Sequence, residues 1–493
     1  VFIKRRSNIL YRDFQTFGYL TDNRNFGYKL KNASEGFIGD KIVSQSGSVF
    51  LSVLSRKPQK LDDMVTLINA VFPDVDFGVI KEDAREFFGT LEREGFIVSG
   101  ESAQECDEKD TKFSYRNIAS EIVDVSFPGV DNVSAISTQE FLEEHLEGRP
   151  QLTNVHIEIT SRCNERCIHC YMPGDNRSIE IELSTFQDVV RQCRKMNVLH
   201  LTISGGEPML HRNFIEFLRM CREYEFSVNV LSNLTLLTDE ILAEMKSNYL
   251  LGVQVSLYSM NPEIHDEITG VRRSFEKTKS AILKLIENDV PLQIACPIMK
   301  NNKGCYQDVV DWAKKLNVNA GPDYVILAKY NHSTENLSCR LSIEEVEEVI
   351  RERVYKDAKY LKQMEDESLK RANASVEDNV CSVCHSSICV NERGNVYPCA
   401  GWQDYIVGNV KSMSLQEIWL HSERVEYLRG LRRRDFPKCI LCGDGEFCTM
   451  CLVRNANEAA SGDPLVVNAY YCSVAKLNKT IARDGRYQAF KKS

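Results

Sequence analysis

At 493 residues the chain is too long for one ordinary domain, and with 43% hydrophobic and 27% charged residues it has ample material for a core. Its net charge of -9 gives nucleic acid no foothold; the one basic run, RGLRRRDFPK at 429–438, reads as a solvated helix end. No stretch approaches eighteen apolar residues and no signal-peptide core opens the chain, so a cytoplasmic protein without membrane contact is expected.

Residues 1–100 form the first block. The runs FGYLTD, FGYKLK and DKIVS predict three short strands between 17 and 44, and three helical patterns follow up to the glycine after KEDAREFFGTLERE. Three strands and three helices in that space suggest a winged-helix-like unit. Residues 101–150 turn polar and acidic and read as a linker. From 151 to 340 the pattern alternates in the βα manner: VHIEIT, HLTISGG, SVNVLSN, GVQVSLY, PLQIACPI and DYVILA are strand runs separated by amphipathic helices. Six such repeats predict an α/β fold, a partial (β/α)6 TIM-like barrel with its site at the strand C-terminal ends and an apolar interior. Residues 341–380 read as a helical bridge. Residues 381–475 are cysteine-dense with weak periodicity, a block expected to be held more by metal than by apolar packing, and 476–493 read as a tail.

The 18 cysteines point to metal or redox chemistry in a reducing compartment. Cys106, Cys193, Cys221, Cys296, Cys305 and Cys339 are scattered and read as apolar thiols. Cys163, Cys167 and Cys170 form C-x3-C-x2-C just after the first barrel strand. That is one thiolate short of a closed tetrahedral site, so either a distant side chain or a small ligand completes it. The next strand ends in SGGEP (204–208), where paired glycines admit a close backbone approach and a carboxylate can hold an ammonium group. An amino-acid-like ligand would fit. The nine cysteines between 381 and 472 read by spacing alone as a pair of zinc ribbons.

On the cysteine triad and the SGGEP turn together, residues 150–340 resemble the radical S-adenosylmethionine superfamily. The resemblance implies that Cys163, Cys167 and Cys170 hold a [4Fe-4S] cluster whose fourth iron chelates S-adenosylmethionine. It also implies that Gly205, Gly206, Glu207 and Pro208 contact its methionine amine, with Ser232, Asn233 and Ser256 near its carboxylate or ribose. One-electron cleavage of the sulfonium would then release a radical that abstracts hydrogen from carbon. The chain reads SLYS at 256–259 where relatives often read SLDG, so Tyr258 replaces an acid. His265, Asp266 and Asp323 read as structural, and no catalytic base is assigned.

The series Gly394-x4-Cys399, Cys439, Cys442, Cys448, Cys451 and Cys472 resembles a SPASM domain. This implies two auxiliary [4Fe-4S] clusters, three in all. Cys439, Cys442, Cys448 and Cys472 would ligate the distal one; Cys399 and Cys451 with Cys381 and Cys384 would close the proximal one, leaving Cys389 spare. Full protein ligation would make the proximal cluster an outer-sphere electron acceptor. Residues 17–98 resemble the recognition element that binds leaders of ribosomal precursor peptides, with an edge strand at DKIVS facing DAREFFGTLEREGFI.

The combination implies a peptide maturase forming a Cys thioether, or otherwise a carbon–carbon link, with flavodoxin or ferredoxin as electron donor. Two rivals stand beside it. Oxidation of Cys or Ser to formylglycine, as in sulfatase maturation, is disfavoured because Ala400 stands where that family places an aspartate. The other is a zinc-binding peptide scaffold.

Overall fold

The computed structural model describes residues 1–23, 28–30, 39–110, 113–115, 138–146, 148–174 and 177–492. The N-terminal strands are β1 (Phe2–Arg5), β2 (Leu10–Asp13), β3 (Phe17–Thr21), β4 (Tyr28–Leu30), β5 (Asp40–Ser44), β6 (Gln59–Lys60), β7 (Ile97–Gly100) and β8 (Phe113–Tyr115). They form two antiparallel three-stranded sheets, β6-β1-β7 and β2-β3-β5, and a separate β4-β8 pair. The sequence expectation is corrected here: FGYKLK supplies β4, which pairs with β8, and the third strand beside β3 and β5 is Leu10–Asp13. Helices Gln45–Ser52, Leu61–Val71 and Phe77–Arg93 pack on these sheets. Ser44 caps the first by accepting from Gly47 N at 3.2 Å, and Asp76 caps the third by accepting from Gly78 N at 2.8 Å. Their apolar stripes (Met64, Val65, Ile68, Ala84, Phe88, Leu91) bury together.

The central sheet contains β9 (Asn154–Glu158), β10 (His200–Ser204), β11 (Ser227–Ser232), β12 (Leu251–Ser256), β13 (Leu292–Pro297) and β14 (Asn319–Asp323), all parallel. Three further strands, β15 (Ser387–Val390), β16 (Asn395–Tyr397) and β17 (Gly408–Asn409), continue it beyond β9 in the order β14-β13-β12-β11-β10-β9-β15-β16-β17. With β14 and β17 at its edges, the sheet is an open, partial barrel.

Three expectations change. The sixth strand is Asn319–Asp323, not the more apolar DYVILA; Ile326 instead buries in a small cluster with Tyr258, Ile268 and Met299. The barrel interior is polar. Val155, Ile157, Leu201, Ile203, Val228, Val230, Val253 and Val255 join helix residues such as Phe186, Val189 and Phe217 in one core. The strand period of two therefore places His156, Glu158, Thr202, Ser204, Asn229, Gln254, Ser256 and Gln293 on the opposite face. Finally, the cysteine-rich block is packed apolarly into the barrel's core: Ile388, Val390, Val396 and Trp402 are buried with the barrel residues.

The acidic stretch after β7 includes helix Ala103–Lys109, tied to β1 by Lys4 bridging Asp107 and Asp110 at 2.8 and 2.9 Å; most of the remaining linker lies outside the described residues. Helices Ile343–Lys356 and Ala358–Ala372 fill the bridge, and the supposed tail is helical, since Ala469–Lys492 is one continuous helix packed on both.

The N-terminal unit sits where the barrel strands begin. The wholly buried Arg12 donates to the carbonyls of Val198 (2.9 Å) and Glu225 (2.7 Å), which precede β10 and β11. Leu10, Tyr19, Leu199 and Leu250 close the seam.

Candidate active site

The triad and the glycine turn lie at the opposite, C-terminal ends of the strands. Gly206 N donates to Thr160 O (2.7 Å) and Glu207 N to Arg162 O (2.8 Å), stitching the two loops together. A Cβ at Gly205 would fall 2.2 Å from the Thr160 carbonyl oxygen, and one at Gly206 2.2 Å from that of Arg162. Gly205 also has φ +145. These glycines thus let the second strand end approach the cysteine loop closely.

Glu207 is held by groups of the neighbouring strand ends. Fully buried, it accepts from Met209 N (3.0 Å), the Ser232 hydroxyl (2.8 Å) and Asn233 N (2.8 Å), and burial pushes its carboxyl up to about 7. Its side chain, with Ser232, anchors the turn, and Pro208 opens a short 3-10 helix behind it. Asn233 donates to Asn164 Oδ1 at 2.9 Å, joining the third strand end to the triad loop. Ser256 ends β12, half-buried beside Tyr258.

Around the triad, Glu165 N donates to Cys163 Sγ at 3.4 Å, the Tyr258 hydroxyl approaches Cys167 Sγ at 3.8 Å and Arg177 Nη2 approaches Cys170 Sγ at 3.5 Å. Burial pushes Cys163 up to about 11, with Cys170 adding to it, and raises Cys167 well above the usual thiol range. Glu165 is a functional candidate the sequence reading missed. It is buried between the cysteines, its Oε1 has no hydrogen-bond partner among the described residues, and burial lifts it to about 7. Asp266 accepts from Ser274 Oγ (3.0 Å) and Phe275 N (2.9 Å), and His265 Nδ1 from Tyr258 N (3.3 Å); both serve the backbone.

Glu158, at the end of β9, was also missed. Only 1% exposed, it accepts hydrogen bonds from the hydroxyls of Tyr171 (3.3 Å) and Tyr397 and from Gln403 Nε2. Burial pushes it up to about 8 against these donors. Its position on the polar strand face was the available signal.

In the C-terminal block, Cys439, Cys442, Cys448, Cys451 and Cys472 line one cavity of about 270 Å³. Burial raises Cys399 to about 11, with Cys451 and Cys381 adding to it, and Cys384 to about 12, with Cys381 and Cys399 adding to it. Cys389 lies on β15 opposite Tyr397, within the field of Cys399 and Cys384.

Comparison with known proteins agrees with this arrangement. Residues 157–313 match the model of the radical SAM superfamily, and residues 381–444 match that of the SPASM iron-sulfur cluster-binding domain. The chain carries a radical SAM domain followed by a SPASM domain. An AdoMet-dependent heme synthase of Methanosarcina barkeri is 26% identical over 337 residues, covering 64% of this chain and 94% of that one. The antilisterial bacteriocin subtilosin biosynthesis protein AlbA of Bacillus subtilis is 25% identical over 321 residues, covering 63% and 69%. The crystal structure of Streptococcus suis SuiB bound to precursor peptide SuiA shares the fold over 95% of this chain and 99% of that chain, with TM-score 0.58 and 14% identity.

The radical SAM and SPASM domains imply iron–sulfur clusters and S-adenosylmethionine, and the residues fit both. The triad is three soft donors on one loop, with the orphaned Glu165 Oε1 beside it. Five cysteines around one cavity give a set of soft donors that suits an iron–sulfur core.

Proposed function

We propose that this enzyme matures a ribosomal precursor peptide, holding its leader on the N-terminal unit and oxidatively cross-linking side chains in its core. A Cys thioether is the first choice of product and a carbon–carbon link the second. The observation that carries the reading is β5. It is the outer strand of β2-β3-β5, and its far edge has no strand partner among the described residues. An extended peptide can add there. Lys41 on β5 pairs with Glu94 at 2.7 Å beyond helix Phe77–Arg93, while the half-buried Phe50 and Phe87, 5.4 Å apart, offer an apolar contact for leader side chains.

When bound, the triad's cluster and S-adenosylmethionine supply a carbon-centred radical that removes hydrogen from an unactivated C–H. The chain's residues do the rest. Cys163, Cys167 and Cys170 leave one corner open for the nucleotide; Asn233, Ser256 and the backbone of 205–208 border it. Thr202, Asn229, Gln254 and Gln293 offer polar contacts to a peptide in the barrel, where Gln293 already donates to Gln254 at 2.9 Å. Each link releases one proton, and the carboxylate form of Glu158, on the barrel face of its strand, is a candidate acceptor for it.

Cys439, Cys442, Cys448 and Cys472 would hold the distal auxiliary cluster, and Cys381, Cys384, Cys399 and Cys451 the proximal one, with Cys389 spare. Closed ligation makes the proximal site an outer-sphere acceptor. Flavodoxin or ferredoxin in the cytoplasm would supply electrons.

Mass spectrometry of the precursor after anaerobic incubation with enzyme, reductant and S-adenosylmethionine tests the reading. The expected result is loss of two hydrogens per link with 5′-deoxyadenosine formed. An unchanged peptide mass beside abundant 5′-deoxyadenosine would refute it.

A further inference from the structure

Arg454 lies three residues after Cys451, on helix Leu452–Glu458, and lines the cavity with Cys439, Cys442, Cys448, Cys451 and Cys472. It is 7% exposed. Its guanidinium donates to the Thr449 carbonyl and hydroxyl (3.2 Å to the latter) and lies 4.0 Å from the Tyr471 ring centroid. Among the described residues it forms no ion pair with a carboxylate. The other cations here differ: Arg371 is paired with Glu367 at 2.6 Å, Lys479 lies 3.4 Å from Asp444, and Arg433 is only half-buried. A buried guanidinium with neutral partners alone carries a large uncompensated desolvation cost.

The missing anion is supplied by the cysteines. Four thiolates around an iron–sulfur core leave the assembly negative in either redox state. Arg454 shares its cavity with Cys439, Cys442, Cys448 and Cys472 and also with Cys451, which belongs to the other auxiliary site in the ligand assignment above. We propose that Arg454 is the shared counter-charge of the two auxiliary clusters and holds their reduction potentials up. Reduction adds negative charge beside a fixed cation in a medium of low dielectric, so the reduced form gains more than the oxidised form. The inference rests on the two-cluster ligand assignment but is independent of the substrate.

The test is an EPR-monitored redox titration of reconstituted wild type, Arg454→Gln and Arg454→Lys. Arg454→Gln is expected to shift both auxiliary couples to lower potential while the triad's couple stays. Arg454→Lys, which keeps the charge, should stay near wild type. If the glutamine variant fails to load auxiliary iron, the lysine variant decides: loading supports the counter-charge, and equal failure overturns it. Unmoved auxiliary couples in Arg454→Gln, or an equal shift in Arg454→Lys, overturn it too. A wild-type protein with a single auxiliary couple would refute the ligand assignment, and with it the shared role.

Discussion

At Gly206 an added methyl group would meet the Arg162 carbonyl oxygen at 2.2 Å, so Gly206→Ala must push the cysteine loop away from the second strand. We expect this variant to lose S-adenosylmethionine cleavage at least ~10-fold, while its auxiliary clusters, measured by iron content and EPR, load as in wild type. Equal loss of all clusters would show that the stitch is not local. Glu158 gives a pH-dependent prediction. Its carboxyl is raised from 4.5 to about 8, so its stabilising contribution is complete below the unfolded value and lost as pH rises through the folded one. The melting temperature of Glu158→Gln relative to wild type should therefore climb between pH 5 and pH 8, by at most about 1.4 kcal/mol of stability per pH unit. A flat difference would contradict the shift. The cysteines were legible because thiol chemistry and spacing are local properties. Glu158 was not, because its partners Tyr397 and Gln403 lie 239 and 245 positions away.

Among elements, the strands were legible as apolar runs, but which way their side chains point was not. Val253 and Val255 face helices while Gln254 and Ser256 face the barrel, so reading a dry interior from valine content confused the two faces. The sixth strand failed for a related reason. Apolar content favoured DYVILA, yet pairing with β13 selected NAGPD, whose register runs from Gln293↔Asn319 to Pro297↔Asp323. At β5 the sequence located the edge, although one neighbour in that sheet comes from further upstream. Phe87→Asp, on the helix beside β5, should weaken leader binding at least ~10-fold by burying a charge in the contact. Calorimetric titration with the leader alone checks this, and S-adenosylmethionine cleavage should be unaffected. Unaltered affinity would place the leader elsewhere.

Across the whole molecule, the N-terminal unit and the cysteine loop occupy opposite ends of the barrel strands. A strand such as Leu251–Ser256 spans six residues, or about 20 Å, and an extended peptide advances about 3.3–3.6 Å per residue. With the leader held on the N-terminal unit as proposed, a precursor would need at least about six residues between its bound segment and its first cross-linked residue. Shortening that spacer should abolish modification while leader affinity persists; efficient modification with a shorter spacer would exclude this route. The chain-level arrangement was only partly legible. Residues 381–475 looked like a separate metal-held block, yet β15 pairs with β9 in register, making that block an extension of the barrel sheet. Radical chemistry at this site requires that the three cysteines leave one iron free for S-adenosylmethionine. EPR of the reduced protein with and without the nucleotide measures this most directly. One cluster signal should change on addition and be missing in Cys163→Ala. A spectrum indifferent to S-adenosylmethionine, or an EPR-silent protein containing zinc, would contradict the account.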